Sequence, residues 1–128
     1  MSTVWIVDDD IEMTDAMQLM LKLIHYDTVS FPNARKAAQA LLAGRQPDLM
    51  IVDINMPEVS GLDLLEFIRR RGDWERLPIL MLSTEAADVT IDRALALGAD
   101  GYVTKPITIE EFENAISSAL LKRKKGTS

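Results

Sequence analysis

The sequence has no cysteine and only one histidine in 128 residues. The lack of cysteine excludes disulfide bonds and thiolate metal sites, and it fits the reducing cytosol in which we expect the protein to reside. The histidine, His25, has no Cys, Asp or Glu at metal-ligand spacing. We therefore interpret it as a surface residue at a helix C-terminus, where a cationic side chain is favourable.

The sequence also lacks a long apolar segment. No apolar run approaches the roughly 20 residues that a membrane-spanning helix needs. The N-terminal Met-Ser-Thr-Val-Trp has no basic region before an apolar stretch, which argues against a secretory signal. We therefore expect no contact with a membrane.

Positive charge is scarce as well, since the net charge is −6. This balance argues against a nucleic-acid surface, and we expect no direct nucleic-acid binding. Two basic runs, Arg69–Arg71 and Lys122–Lys125, lie at predicted helix ends, where cations are favourable. We interpret the second as a solvated helix terminus or the start of a linker. Residues 1–60 carry a net −5 of the total, which favours a cation site in that half.

Five apolar runs alternate with five segments of helical periodicity, and the loops between them are short. Strands are predicted at 3–7, 27–31, 49–53, 78–83 and 102–104, and helices at 11–25, 34–43, 62–71, 86–97 and 109–123. This alternation predicts an α/β fold in which a parallel sheet is covered by helices on both faces. Right-handed crossovers favour a flavodoxin-like (βα)5 three-layer sandwich of strand order 2-1-3-4-5. We expect one domain over residues 1–123 and a flexible tail, or the start of a linker, over 124–128.

Polar side chains stand where these predicted strands end. Asp8 and Asp9 follow the first strand, Asp53 ends the third, Ser83 ends the fourth and Lys105 follows the fifth. Because the carboxyl ends of parallel strands meet at one edge of a sheet, where open α/β sheets place their ligands, we expect these side chains to lie together. Each aspartate alone could be an ordinary turn or cap residue, but their joint placement favours a functional site.

The three carboxylates of this edge repel one another. One pair at about 4 Å costs on the order of 4 kcal/mol at an effective dielectric near 20. A hard divalent cation relieves this repulsion, and a site of oxygen ligands with access to water favours Mg²⁺. Together with Lys105 and the Ser83 hydroxyl, the predicted site holds a nucleophile, a metal and groups that neutralise charge, which are the parts that phosphoryl transfer needs.

With these residues in place, the chain resembles the receiver domain of response regulators in two-component signalling, and within that family it is similar to the chemotaxis regulators. The segments that carry the resemblance are Ile6–Asp9, Val52–Pro57 with Gly61, Leu82–Glu85 and Gly101–Pro106. The intervals are 44 residues from Asp9 to Asp53, 30 more to Ser83 and 22 more to Lys105. A small departure is Ser60, which stands where an aspartate often precedes the glycine.

The resemblance implies a role for each polar residue at the edge. Asp53 is expected to be the phosphoacceptor, which takes a phosphoryl group from a phosphohistidine, and Lys105 to hold the phosphoryl oxygens. Asp9, Asp53 and the backbone carbonyl of Asn55 are expected to bind Mg²⁺, with Mn²⁺ as an alternative ion. Asp8 is expected to act through a metal-bound water.

The resemblance also implies a switch and a characteristic backbone geometry. Ser83 is expected to swing toward the phosphoryl group and Tyr102 to turn inward behind it, which reshapes the face made by helix 4, strand 5 and helix 5. Asn55 and Glu85 occupy the positions that tune dephosphorylation. The Lys105–Pro106 peptide bond is expected to be cis.

The partners follow from the same resemblance. We expect a sensor histidine kinase or a phosphotransfer protein as the phosphoryl donor and an unidentified downstream target on the face of helix 4, strand 5 and helix 5. A homodimer through that face is an alternative. The protein is expected to be a signalling switch that catalyses only its own phosphorylation and slow dephosphorylation.

Two alternative functions fit parts of the pattern. A pseudo-receiver would act as an interaction module without accepting phosphate. Such a module would not need all the polar residues of the edge, so the presence of Asp8, Asp9, Asp53, Ser83 and Lys105 argues against it. An aspartyl phosphatase or phosphotransferase would also use Asp53 and Mg²⁺, but it needs a second aspartate two residues on, where this chain has Asn55.

Overall fold

Five parallel strands form one sheet in the order β2-β1-β3-β4-β5, in a computed structural model that describes residues 2–84 and 88–125. The strands are β1 (Thr3–Val7), β2 (Asp27–Phe31), β3 (Leu49–Asp53), β4 (Ile79–Ser83) and β5 (Gly101–Thr104). The helices are α1 (Ile11–Leu23), α2 (Ala34–Leu42), α3 (Gly61–Arg70), α4 (Asp88–Ala96) and α5 (Ile109–Lys125). The predicted flavodoxin-like α/β fold and strand order are confirmed.

Both faces of the sheet are buried, which explains why its strands are continuously apolar. In β3, Met50 and Val52 point into a core shared with α2, α3 and α4. The alternate residues Leu49 and Ile51 point into a second core shared with α1 and α5. All four side chains are at most 1% exposed, so β3 is the central strand of a three-layer sandwich.

The helix boundaries differ from the prediction by a few residues. Helix α1 ends at Leu23, and His25 lies beyond it in the left-handed region with φ 70°. The Tyr26 N–H donates to the Leu21 carbonyl at 2.9 Å, which closes the helix end by a bond that periodicity alone does not reveal. Helix α5 reaches Lys125, two residues past its predicted end. The predicted start of the fourth helix at residues 86 and 87, and residues 126–128 of the predicted tail, lie outside the described residues.

The two basic runs lie at helix ends as predicted, but one arginine of each run is turned toward a buried partner. Arg69 and Arg123 both form ion pairs with the buried carboxylate of Asp100, and their side chains are 11% and 26% exposed. The interpretation of a solvated helix terminus is therefore wrong for Arg123. No helix in the described ranges is long and apolar enough to span a membrane.

The start of α3 brings the chain back tightly behind Asp53. Ser60 caps the helix in a reciprocal capping box with Asp63, so the serine that departs from the family pattern acts as an N-cap. The next residue, Gly61, donates its N–H to the Ile54 carbonyl at 3.0 Å. A Cβ at Gly61 would lie 2.1 Å from the carbonyl oxygen of Asp53, so only glycine fits this approach.

Replacing Gly61 by alanine is expected to lower the free energy of unfolding by at least about 3 kcal/mol, because backbone, rather than a flexible side chain, must move. The matched control is Gly72→Ala, since a Cβ there meets nothing within 4 Å. We expect the control to change stability by no more than about 1 kcal/mol. Urea unfolding of both variants is the measurement, and equal stabilities would contradict the close approach at Gly61.

Candidate functional site

Three carboxylates meet at the carboxyl edge of the sheet, the edge at which Asp53 and Ser83 end their strands. Asp53 is the last residue of β3, and Asp8 and Asp9 follow β1, which pairs with β3. One carboxylate oxygen from each lies within 4.8 Å of the others. Asp8 and Asp53 are buried, both 4% exposed, whereas Asp9 is exposed to solvent. The predicted acidic cluster is therefore assembled, with one open side.

The ammonium group of Lys105 lies between the two buried carboxylates. Its Nζ is 3.3 Å from Oδ2 of Asp8 and 3.5 Å from Oδ1 of Asp53. The backbone N–H of Lys105 donates to the Ser83 carbonyl at 2.8 Å, which joins the end of β5 to the end of β4. The Lys105–Pro106 peptide bond is cis, as the resemblance implies.

The surroundings of Asp53 raise the pKa of its carboxyl group from 3.8 to about 6. Burial is the largest cause, because it disfavours the charged form, and the negative charge of Asp8 adds to it. Lys105 and the Asn55 backbone N–H act in the opposite direction. A pKa of about 6 still leaves most of Asp53 ionised at neutral pH, in a site where one ammonium faces two buried carboxylates.

The three consecutive acids after β1 divide into two functions. Asp8 and Asp9 contribute to the cluster, whereas Asp10 is the N-cap of α1 and accepts the Met13 N–H at 3.1 Å. The Asp10 N–H in turn donates to Oδ1 of Asp8 at 2.9 Å. The turn into α1 thus holds Asp8 by one carboxylate oxygen while Lys105 contacts the other.

Asn55 and Ser83 are linked to each other at the mouth of the site. The side-chain amide of Asn55 donates to the Ser83 hydroxyl at 3.2 Å. Ser83 is fully buried and Asn55 is exposed. The sequence did not predict this bond, because the resemblance gave Asn55 a backbone role at the metal and a position that tunes dephosphorylation but no side-chain partner. Tyr102 is partly buried against the core that includes α3 and α4, and Glu85 lies outside the described residues.

The donor set fits a magnesium ion. The cluster offers only oxygen atoms, and three carboxylates within 4.8 Å of one another carry more negative charge than Lys105 offsets. Mg²⁺ binds through a few carboxylates and retains several water molecules, which requires an open side. The exposed carboxylate of Asp9 provides one.

A family model for the response regulator receiver domain matches residues 4–117. The chain belongs to the response regulator receiver family. Receiver domains bind Mg²⁺ at a cluster of aspartates, and in this receiver domain Asp8, Asp9 and Asp53 lie close together. Receiver domains of this family are parts of response regulators in two-component systems.

Named relatives support this assignment. The receiver domain is 42% identical over 88 residues to the phosphate regulon transcriptional regulatory protein PhoB of Rhizobium meliloti, covering 69% of this chain and 38% of the relative. It is 31% identical over 120 residues to the transcriptional regulatory protein KdpE of Mycobacterium tuberculosis, covering 94% of this chain and 51% of the relative. The chain thus spans about half or less of these relatives.

Among solved structures, the receiver domain is similar to the chemotaxis protein CheY4 of Vibrio cholerae. The TM-score is 0.84 at 28% sequence identity, over 93% of this chain and 98% of the other. The similarity covers nearly the whole of both chains, so it supports the flavodoxin-like fold over the full sandwich.

The raised pKa of Asp53 predicts how stability depends on pH in the absence of metal ions. The folded protein binds the Asp53 proton more tightly than the unfolded chain, whose pKa is near 3.8. The ionised carboxylate therefore lowers stability above pH 6, and this cost disappears as the pH falls from about 6 to about 4. In EDTA at about pH 7.5, Asp53→Asn is expected to be more stable than the wild type by about 1–3 kcal/mol.

Urea unfolding across this pH range measures the effect. The exposed Asp73, which is distant from the cluster in the loop after α3, supplies the control variant Asp73→Asn. A difference between Asp53→Asn and the wild type that grew as the pH fell would contradict the assigned sign.

Proposed function

We propose that this receiver domain accepts a phosphoryl group on Asp53 from a phosphohistidine of a sensor histidine kinase or phosphotransfer protein. A carboxylate oxygen of Asp53 forms the new bond to phosphorus while the bond from phosphorus to the imidazole nitrogen breaks. The imidazole leaves with the electron pair of that bond and takes up a proton. The observation that carries the proposal is the buried Asp53 carboxylate with the Lys105 ammonium 3.5 Å away and two further carboxylates within reach.

The residues around Asp53 suit this reaction. Asp53 is ionised at neutral pH, as a nucleophile must be. Lys105 is placed to hold the phosphoryl oxygens, because its Nζ already contacts Asp53 and Asp8. Bound Mg²⁺, or Mn²⁺ in its place, would neutralise charge on those oxygens, held by Asp9, Asp53 and the Asn55 carbonyl, with Asp8 acting through water.

The phosphoryl group is then proposed to act on the face formed by α4, β5 and α5. The Ser83 hydroxyl adjoins the site and can donate to a phosphoryl oxygen. Tyr102 lies on β5, two residues before Thr104, the residue that pairs with Ser83. Residues of α4 and α5 expose apolar side chains, with Val89 80% and Leu121 53% exposed. A face that phosphorylation rearranges can bind a protein partner more tightly in one state than in the other. We propose a downstream target as that partner, with a second copy of the chain as the alternative.

Phosphorylation of Asp53 is testable with a small donor. Acetyl phosphate and Mg²⁺ are expected to label the wild type and the control Asp73→Ala, whereas Asp53→Ala is expected to stay unlabelled because the nucleophile is gone. EDTA is expected to suppress labelling of the wild type. Intact-protein mass and the alkali lability of the label are the measurements. Equal labelling of Asp53→Ala through an acyl phosphate would contradict the assignment.

A variant of Lys105 tests separately whether the protein accepts phosphate and whether it then changes conformation. Without its ammonium, Lys105→Ala is expected to accept phosphate about 100-fold more slowly, since one charged donor is lost from the reacting oxygens. Once labelled, it is expected to show little change in the NMR signals of β5, whereas the labelled wild type shows a clear change. A labelled Lys105→Ala with the full wild-type response would contradict this role.

A further inference from the structure

A second buried charge cluster lies at the amino edge of the sheet, the edge opposite Asp53. Asp100 immediately precedes β5, and its side chain is fully buried. Its Oδ2 accepts from Nη2 of Arg69 at 3.0 Å and from the Ile79 N–H at 2.9 Å. Its Oδ1 accepts from Nε of Arg123 at 2.6 Å. We call Arg69, Asp100 and Arg123 the anchor cluster.

The two guanidinium groups of the anchor cluster also bind backbone carbonyls. Nε of Arg69 and Nη2 of Arg123 donate to the same carbonyl, that of Gly98, at 2.9 and 3.0 Å. Arg69 further donates to the Trp74 carbonyl at 3.1 Å, and Arg123 to the Glu75 carbonyl at 2.6 Å. The cluster therefore connects the ends of α3 and α5, the loop after α3, and the turn between α4 and β5.

Packing and charge both indicate that this connection is rigid. Gly98 has φ 107°, and a Cβ there would lie 2.8 Å from Cγ of Arg69, so the arginine packs directly against the turn. Burial and the neighbouring Arg123 lower the pKa of Arg69 to about 10, which still leaves it charged at neutral pH. Charge-assisted hydrogen bonds with buried partners are strong, and breaking one leaves a buried charge without its partner.

The anchor cluster lies at the amino end of β5, the strand whose other end leads to the Asp53 site. Strand β5 has four residues and lies at the edge of the sheet, where β4 is its one partner among residues 2–84 and 88–125. Its amino end is held by Asp100, whose N–H donates to the Ile79 carbonyl at 2.8 Å. Its carboxyl end leads to Lys105 in the phosphorylation site. A strand this short, paired on one side, is held at the amino end by contacts that do not involve the site.

We propose that the anchor cluster is the fixed end of the switch. It holds the start of β5 and the end of α5 against α3, so that phosphorylation rearranges β5 only at its Lys105 end. The inference rests on the proposed function for the motion itself, whereas the fixed end follows from the contacts of the anchor cluster alone.

Amide hydrogen exchange of the full chain, followed by NMR with and without acetyl phosphate and Mg²⁺, tests the proposal. In the wild type, phosphorylation is expected to change exchange at residues 102–105. The amides of Gly98, Ala99 and Asp100, which donate to Leu95, Ala94 and Ile79, are expected to stay unchanged. A change at residues 98–100 as large as that at 102–105 would overturn the proposal.

The variant Arg123→Gln removes one side of the cluster and leaves Asp100 paired with Arg69 and the Ile79 N–H. Exchange at residues 98–100 is expected to be at least about tenfold faster in the unphosphorylated variant, because hydrogen bonds to charged groups are lost. Phosphorylation is then expected to affect residues 98–100 as well. The control is Arg70→Gln, since Arg70 is exposed and pairs only with Glu66 in the described part of the chain.

The two proposals fail in different ways. Intact mass taken on the same samples reports whether Asp53 carries phosphate, and its absence would count against the proposed function. Unchanged exchange at residues 98–100 in unphosphorylated Arg123→Gln would overturn the anchor whether or not Asp53 is phosphorylated. A boundary between residues 98–100 and 102–105 that persists in phosphorylated Arg123→Gln would also overturn it.

Discussion

Two buried carboxylates share one ammonium group at the carboxyl edge of this sheet. Asp8 and Asp53 lie beside each other because β1 and β3 are parallel neighbours, and Lys105 reaches both from the end of β5. Burial and the charge of Asp8 raise the pKa of Asp53 to about 6, and once Asp53 is ionised the two buried carboxylates outnumber the one ammonium. A bound divalent cation would offset this excess of negative charge.

The opposite edge has the reverse arrangement, since one carboxylate is shared by two guanidinium groups. Asp100 receives hydrogen bonds from Arg69, Arg123 and a backbone N–H, and the arginines also bind backbone carbonyls. Every buried side-chain nitrogen and oxygen in the described part of the chain has a hydrogen-bond partner. The domain thus combines a carboxyl edge with a solvent-exposed carboxylate, Asp9, and an amino edge whose two arginines are also bound to backbone carbonyls, and β5 connects them.

Much of the fold and of the site could be predicted from the sequence because the two signals, apolar runs and the residues at strand ends, are both local. Strands buried on both faces are continuously apolar, and β3 is the plainest case, with all of its residues buried. The site followed from one rule, that carboxyl ends of parallel strands meet, and Asp53 and Lys105 lie where that rule places them. Helix ends were less predictable, because α1 closes through hydrogen bonds at His25 and Tyr26 that leave no periodic pattern.

The sequence by itself determined the order of strands and helices, the central burial of β3 and the acidic edge around Asp53, because periodicity and strand ends are properties of consecutive residues. Only the tertiary structure decided the partners of charged residues far apart in the chain. Arg69 and Arg123 read locally as helix-end cations, yet both bind Asp100. Such pairing depends on how the helices pack across the sheet, and no local pattern specifies it.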